Sequence, residues 1–295
     1  MRKILLSAML LISSTSIFAQ ETTQLVLHMK DKTETVISLS ELDSITFRTP
    51  ADDGKLSLTC TIDELTPSHA TYTIHANQSN DAYYQFLMSE STYNAMIEQY
   101  GNLQNHDQAW WTELSKYYEN ATWEDVMRMQ MVYGTKTFQS EEIIRSLEPQ
   151  TNYVIYYYGI DDNGNMTTEI GTKKFTTPKP GESANTFTIS DIEVSYGSVS
   201  FNVTPTNNDR YFVSAQNAKM VNDRLAAGKT MREIAQEVIN VQATYNPDFE
   251  DMIYTGEQRI ECGCSLEDTD YIIMVCGYDG GVTTDVTTAN FHTLK

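Results

Sequence analysis

Apolar residues recur at every second position in several stretches of this chain, and in two places that period gives way to one near 3.6. Leu56, Leu58, Cys60 and Ile62 alternate with polar neighbours, as strands do. Tyr72, Ile74 and Ala76 form the inward side of a following strand, and Phe187 and Ile189, then Val199, Phe201 and Val203, repeat the arrangement. The period lengthens after Tyr83–Met88 and again after Tyr211–Ala215. In the first of these regions Trp110, Leu114, Tyr117 and Tyr118 share one helical face. Thr122-Trp-Glu-Asp125 then has the spacing of a capping box, with Asp at its third helical position, and Trp123, Val126, Met127 and Gln130 follow on one face. In the second region Thr230-Met-Arg-Glu233 is a full capping box, opening a stripe of Met231, Ile234, Ala235, Val238, Val241 and Tyr245.

Two runs break the alternation differently. Val154–Tyr158 and Ile272–Cys276 are apolar at every position. With Tyr153 and Tyr271 facing inward, Ile155, Tyr157, Ile273 and Val275 face inward too. Val154, Tyr156, Tyr158, Ile272, Met274 and Cys276 then point outward, where a sandwich strand normally carries polar groups. A strand apolar on both faces needs a layer on each side. Burying each large side chain is worth about 1.5–3 kcal/mol, so the helices with their apolar stripes are the expected cover. The reading is mainly β: two three-layer domains, each a β-sandwich with a helical insertion between its strands C (Tyr83–Met88, Tyr211–Ala215) and E.

The two halves also repeat a phrase. Leu147-Glu-Pro-Gln-Thr-Asn-Tyr153 and Leu266-Glu-Asp-Thr-Asp-Tyr271 each precede the apolar run (strand F), then a Gly (159, 277), an acidic Gly-containing turn and a Thr pair (167–168, 283–284). Each closes on a matching strand, Phe175-Thr-Thr177 and Phe291-His-Thr293. Two matches in the same order are an internal repeat. Leu147, Pro149, Thr151 and Tyr153 resemble the tyrosine corner of fibronectin type III domains, in which the Leu ends strand E in the core and the Tyr hydroxyl bonds back to the backbone upstream. Leu266, Thr269 and Tyr271 keep the pattern without the Pro and one residue shorter. The resemblance implies tandem immunoglobulin-like sandwiches at 55–178, with an insertion at about 91–134, and at 185–295, with an insertion at about 216–255. Pro178-Lys-Pro-Gly-Glu-Ser183 reads as a short, fairly stiff connection, which puts the linker at 179–184. The resemblance says little about function.

Residues 1–19 read as a secretory signal: Arg2 and Lys3, an apolar stretch Ile4–Ile12, and small residues ending at Ala19. No later run approaches the ~20 apolar residues of a membrane span. The expectation is export to the periplasm, cell surface or medium, with no membrane insertion after cleavage. In the leader and linker at 20–54, Leu25, Leu27 and Met29 alternate, Asp31–Thr33 turns, Val36 and Leu39 return, and Ser40–Ile45 offers a helical turn. This leader resembles one common in secreted proteins of Bacteroidetes-type bacteria, ending in a phrase like Leu-Ser-Glu-Leu-Asp-Ser-Ile-Thr-Phe.

Charge narrows the partners. The formal net charge is -20, and loss of Arg2 and Lys3 takes it to -22. Such a surface opposes nucleic acid, whose binding rests on Lys and Arg neutralising phosphates. The five histidines stand in no recognisable catalytic or zinc arrangement, and no enzyme activity, metal or cofactor is expected. Asp161-Asp-Asn-Gly-Asn165 lacks the distal Glu of a calcium loop, and its Asn163-Gly164 signals a hairpin turn. Export permits disulfides among Cys60, Cys262, Cys264 and Cys276. Alternation places Cys262 and Cys264 toward one core and Cys276 on the other face, which favours free thiols.

All three tryptophans lie in the first insertion, beside Tyr117 and Tyr118. Trp110, Trp111, Tyr118 and Trp123 are therefore the candidate ligand contacts, since Trp and Tyr anchor interfaces. The competing reading packs Trp110 and Trp123 on strands C and F and leaves Trp111, at the edge of its stripe, as the best candidate for partial exposure. A noncatalytic binding or adhesion module for a protein or glycan leads, followed by a structural spacer in a cell-envelope assembly, and then a hydrolase.

Overall fold

In the computed structural model, which describes residues 24–28, 34–38 and 54–295, the alternating segments pair as strands. At the start, β1 (Gln24–His28) and β2 (Glu34–Ser38) form an antiparallel hairpin with Val26 opposite Val36. The secretory segment, the helical turn at 40–45 and residues 49–53 of the linker lie outside the described residues.

Residues 54–295 hold two sandwiches. In the first, β3 (Leu58–Leu65), β4 (Ala70–Ala76) and β7 (Lys136–Gln139) make one sheet, in the order β3-β4-β7. The facing sheet runs β6-β5-β8-β9, from β5 (Ala82–Ser89), β6 (Val132–Tyr133), β8 (Asn152–Gly159) and β9 (Gly171–Thr176). The second sandwich repeats this as β10-β11-β14 and β13-β12-β15-β16. Its strands are β10 (Phe187–Ser195), β11 (Ser198–Pro205), β12 (Tyr211–Asn217), β13 (Ile253–Tyr254), β14 (Gln258–Gly263), β15 (Asp270–Gly277) and β16 (Thr287–His292). All pairings are antiparallel. Helices α1 (Glu90–Tyr100), α2 (Leu103–Ser115) and α3 (Trp123–Gln130) follow β5, and α4 (Ala218–Ala226) and α5 (Met231–Tyr245) follow β12. Both insertions thus sit between strands C and E. No described helix is long and apolar enough to cross a membrane.

Each domain has three layers. Tyr153, Ile155 and Tyr157 of β8 face the inter-sheet core with Tyr72, Ile74 and Leu87. Tyr156 and Tyr158 face a second core with Leu103, Trp111, Val126 and Met127 of the helices. In β15, Tyr271, Ile273 and Val275 face inward, while Ile272, Met274 and Cys276 meet Ile234, Ala235 and Ile239 of α5. The capping boxes at Thr122/Asp125 and Thr230/Glu233 are both formed.

Two helical stripes differ from the sequence reading. In α5 the buried set is Ile234, Ala235, Val238, Ile239 and Ala243, and Val241 and Tyr245 are exposed. The i, i+4 rows from Ala235 to Ile239 and Ala243 carry the contact, so the stripe turns away from Val241. In α2 the buried residues are Leu103, Asp107 and Trp111, spaced four apart, rather than a face led by Trp110. A carboxyl group in the middle of that row hides it from a search for apolar periodicity.

The repeated phrase has a common geometry. Glu148 N–H donates to the Tyr153 hydroxyl (2.8 Å) and Leu266 N–H to that of Tyr271 (3.2 Å). Thr151 N–H donates to Thr177 Oγ1 and Thr269 N–H to Thr293 Oγ1, each at 2.9 Å. Gly159 and Gly277 are glycines because the Thr pairs return across them: a Cβ would meet Thr167 Oγ1 at 2.4 Å or Thr283 Oγ1 at 2.3 Å. One equivalence needs correction. Leu266 matches Glu148, not Leu147, and it is 51% exposed rather than a core residue. The core position of Leu147 is taken by Cys264: their N–H groups donate to Ser68 and Gly197 carbonyls at 2.7 and 2.8 Å, and both are buried. The second corner is therefore not shortened.

The linker is held where the sandwiches meet. Ser183 N–H donates to the Thr283 carbonyl (2.8 Å), and Arg232 reaches both Glu182 and the Val282 carbonyl. A Cβ on Gly281 would lie 2.6 Å from Pro180 Cγ and 2.8 Å from Pro149 Cγ, so the turn after β15 seats against the first corner and the linker together.

Candidate functional site

The first insertion divides its aromatics between core and surface. Trp111, expected to be partly exposed, is the most enclosed, at 1%. Its ring makes an edge contact with Tyr84 of β5, centroids 5.0 Å apart, and stacks on Trp123 at 6.3 Å with planes 10° apart. Its Nε1–H donates to Gln130 Oε1 (3.3 Å). Trp123 is half-buried and lies over Gly164, where a Cβ would stand 2.7 Å from its Cη2. Trp110, expected in the core, is 40% exposed, and beyond it Tyr117 and Tyr118 are 79% and 52% exposed. The cause of this inversion is the 103/107/111 row: rotating α2 to bury Asp107 against β8 carries Trp111 inward and Trp110 out.

Asp107 is the residue that sequence reasoning passed over. Its carboxyl is fully buried, accepts from the Tyr156 hydroxyl (2.5 Å) and the Tyr158 hydroxyl (2.7 Å), and lies 3.0 Å from His106 Nδ1. Burial, then the neighbouring Asp107, pushes both tyrosine hydroxyls far above their ordinary range, so they remain donors. Tyr84 Oη is buried beside them without a hydrogen bond. Enclosed in this way, the cluster fastens helix to sheet. A sequence signal exists in retrospect: tyrosines at alternate positions on an otherwise apolar outer face need a polar partner.

The acidic turn is structural. Asp161 Oδ1 accepts from the N–H groups of Asn163 and Asn165 at 2.9 Å, and Gly164 adopts a φ of 82°. Gln104 and Arg128 of the insertion bond to the Gly164 and Asp162 carbonyls. Among the described residues no three His, Cys, Asp or Glu side chains are grouped to hold a metal. The cysteines are free, and burial pushes the thiols of Cys60 and Cys276 up to about 12 and that of Cys262 to about 11. Such thiols are poor nucleophiles at neutral pH. Trp110, Tyr117 and Tyr118 at the end of α2 are the candidate contact surface that remains.

No family model matches the chain, and no curated protein matches it. Similar solved structures include a two-domain fibronectin type III segment of chicken tenascin, at 11% identity and a TM-score of 0.21, covering 81% of this chain and 98% of that one. The central fibronectin type III array of RIM-binding protein has 10% identity and a TM-score of 0.21, with 82% and 70% covered. Chicken CNTN1 FN1–FN3 has 10% identity and a TM-score of 0.21, with 82% and 67% covered. The fibronectin type III-like fold rests on this chain's own strand order and its two tyrosine corners.

Proposed function

We propose that the chain is an exported, noncatalytic binding module that meets a protein or glycan through Trp110, Tyr117 and Tyr118. The observation that carries this reading is their exposure at one end of α2, while Trp111, Val126 and Met127 of the same insertion are enclosed. Aromatic rings left in water beside a rigidly packed support are the composition of an interface anchor. Their support is fixed by Asp107 and by the Trp111–Trp123 stack, so binding orders little. The net charge of -20 favours neutral or basic partners. The test screens the full chain against glycan and envelope-protein panels, alongside a Trp110→Ala/Tyr117→Ala/Tyr118→Ala variant. A saturable ligand lost in that variant supports the reading. A ligand retained by it moves the site elsewhere, and turnover of the ligand makes the protein an enzyme.

A second reading, a spacer in an envelope assembly, is favoured by the close packing of Gly281 against Pro149 and Pro180 where the two sandwiches meet. Export itself follows from residues 1–19. Intact mass of the mature protein tests it, and retention of those residues would overturn it.

A further inference from the structure

β14 ends on Cys262 and Gly263, opposite Val199 and Ser198, and Cys264 follows with its N–H on the Gly197 carbonyl at 2.8 Å. Nothing in this arrangement requires a glycine at 263. Its φ is outside the left-handed region, and a Cβ there would meet no atom within 4 Å beyond its chain neighbours. A glycine under neither demand weakens a strand, because it adds backbone freedom and contributes no packing. The two residues it separates are thiols. Two apart along a strand, they lie on the same side, and both pack with the inter-sheet core of the second sandwich. The Cys264 thiol leans back along the chain, its Sγ 3.9 Å from the Cys262 carbonyl oxygen. Cys264 also lines an open groove of about 500 Å³ together with Gly263, Ala215 and Leu266, so a small molecule can come against it.

We infer that Cys262 and Cys264 are a reversible dithiol–disulfide pair, with Gly263 as the pivot on which the ring closes. As the strand stands they are not bridged: same-side residues two apart are separated by about 6.5 Å, whereas bonded cysteines need Cβ atoms about 3.5–4.5 Å apart. The chain must turn at 263, where glycine is the residue that turns most readily. The surroundings allow it. β14 is the edge of its sheet and pairs there with β11 alone, and the hairpin tip it meets carries Gly197 at a φ of 77°. The step is ordinary thiol–disulfide exchange. The Cys264 thiolate attacks a small disulfide in the groove and expels one thiolate, which takes up a proton. Cys262, losing its proton to solvent, attacks Cys264 Sγ and expels the second. Two cysteine thiols are oxidised, and one small disulfide is reduced to two thiols. Closure draws Cys264 away from Gly197 and from the core place that Leu147 holds in the first sandwich. The ring is therefore strained, and strained disulfides are readily reduced again.

The pair is unrelated to the aromatic end of α2, so either assignment stands or falls alone. For the test, the reduced full chain is incubated with 2-hydroxyethyl disulfide, a small neutral probe. Burial raises both thiols, that of Cys262 to about 11, so the exchange is run at about pH 9, where more thiolate is present. Remaining thiols are alkylated in urea and the chain is cut after glutamates, which releases residues 262–267 with no other cysteine. The expected product is this fragment unalkylated and lighter by two hydrogens, returning to the dithiol when 2-mercaptoethanol is added. Cys262→Ser should stop at a mixed disulfide on Cys264. Gly263→Val decides the matter. Valine suits an extended backbone and resists a tight turn, and it has room there. Circular dichroism should therefore be unchanged while ring closure slows about tenfold or more. Closure as fast as in the unaltered chain overturns the inference. So does alkylation of both thiols after the exposure, a mixed disulfide that never closes in the unaltered chain, or a dimer linked through Cys264.

Discussion

Trp111 and Trp123 lie almost parallel, rings stacked with centroids 6.3 Å apart, and through that contact α2 and α3 form one lid over β8. Trp111 is the deeper of the two. Replacing it with Ala removes a fully enclosed indole and should cost about 3–5 kcal/mol, the range for such truncations. Trp110→Ala should stay within about ±0.5 kcal/mol, as surface changes usually do. Urea unfolding of both variants makes the comparison. Equal losses would mean that Trp110 is a packing residue and not a free contact.

The second hold on the lid is polar. Asp107→Ala leaves two buried tyrosine hydroxyls without their acceptor, each worth about 1–3 kcal/mol when stranded. Tyr158→Phe removes one donor and leaves the carboxyl its bond to Tyr156, so it should cost less than Asp107→Ala. The double variant should cost less than the sum of the two single ones, because the residues form one network. Additive losses in denaturant unfolding would show that Asp107 and Tyr158 are not coupled.

These same residues mark how far the sequence could be read. The sheets, the helical insertions and the two-faced β8 and β15 were legible, because alternation and capping boxes report local geometry directly. The helix phase was not. Asp107 occupies an inward position of α2, and a hydrophobicity pattern counts a carboxylate as outward, so Trp110 and Trp111 exchange places. The match of Leu266 to Leu147 failed for a related reason: residue identity was preserved while the chain path was not. Only the bonds from Cys264 to Gly197 and from Leu266 to Tyr271 show which residue holds which place.

Both corners can be tested with a single atom. Tyr153→Phe and Tyr271→Phe each delete one hydroxyl that accepts a backbone N–H, which should cost about 0.5–1.5 kcal/mol. The bond in the first sandwich is shorter, 2.8 Å against 3.2 Å, so Tyr153→Phe should be the costlier. Unchanged unfolding in either variant would mean that the corner contributes nothing there.

His292 gives a pH dependence with a definite sign. Hydrogen bonds to Asp270 (2.7 Å) and Asp268 (3.1 Å) raise its pKa above the ordinary 6.5. A pKa raised in the folded state means that folding favours the protonated ring. That contribution is complete below the ordinary value and fades as pH rises through the raised one. The ring is exposed, so the effect belongs to a screened surface. An NMR titration should place His292 above a free imidazole, and Asp270→Asn should bring it down. A midpoint at or below 6.5 in the unaltered chain would contradict the arrangement.

Gly281 is packed closely where the two sandwiches meet. A Cβ there would stand 2.6 Å from Pro180 Cγ, 2.8 Å from Pro149 Cγ and 2.9 Å from Gln236 Oε1. Two of these neighbours are proline rings, which cannot swing aside as a flexible side chain would. Gln236 Oε1 also accepts from Val282 N–H at 2.8 Å, so displacing it frees a backbone donor. Gly281→Ala should therefore open the joint while leaving each sandwich folded, because the contact lies outside both cores. Gly181→Ala, in the same linker but with open space around its Cβ, is the matched control. Small-angle scattering should show a broader distribution of shapes for Gly281→Ala and none for Gly181→Ala, with unaltered circular dichroism in both. If the two variants scatter alike, the seating of the turn on Pro149 and Pro180 does not hold the sandwiches together, and the spacer reading loses its support.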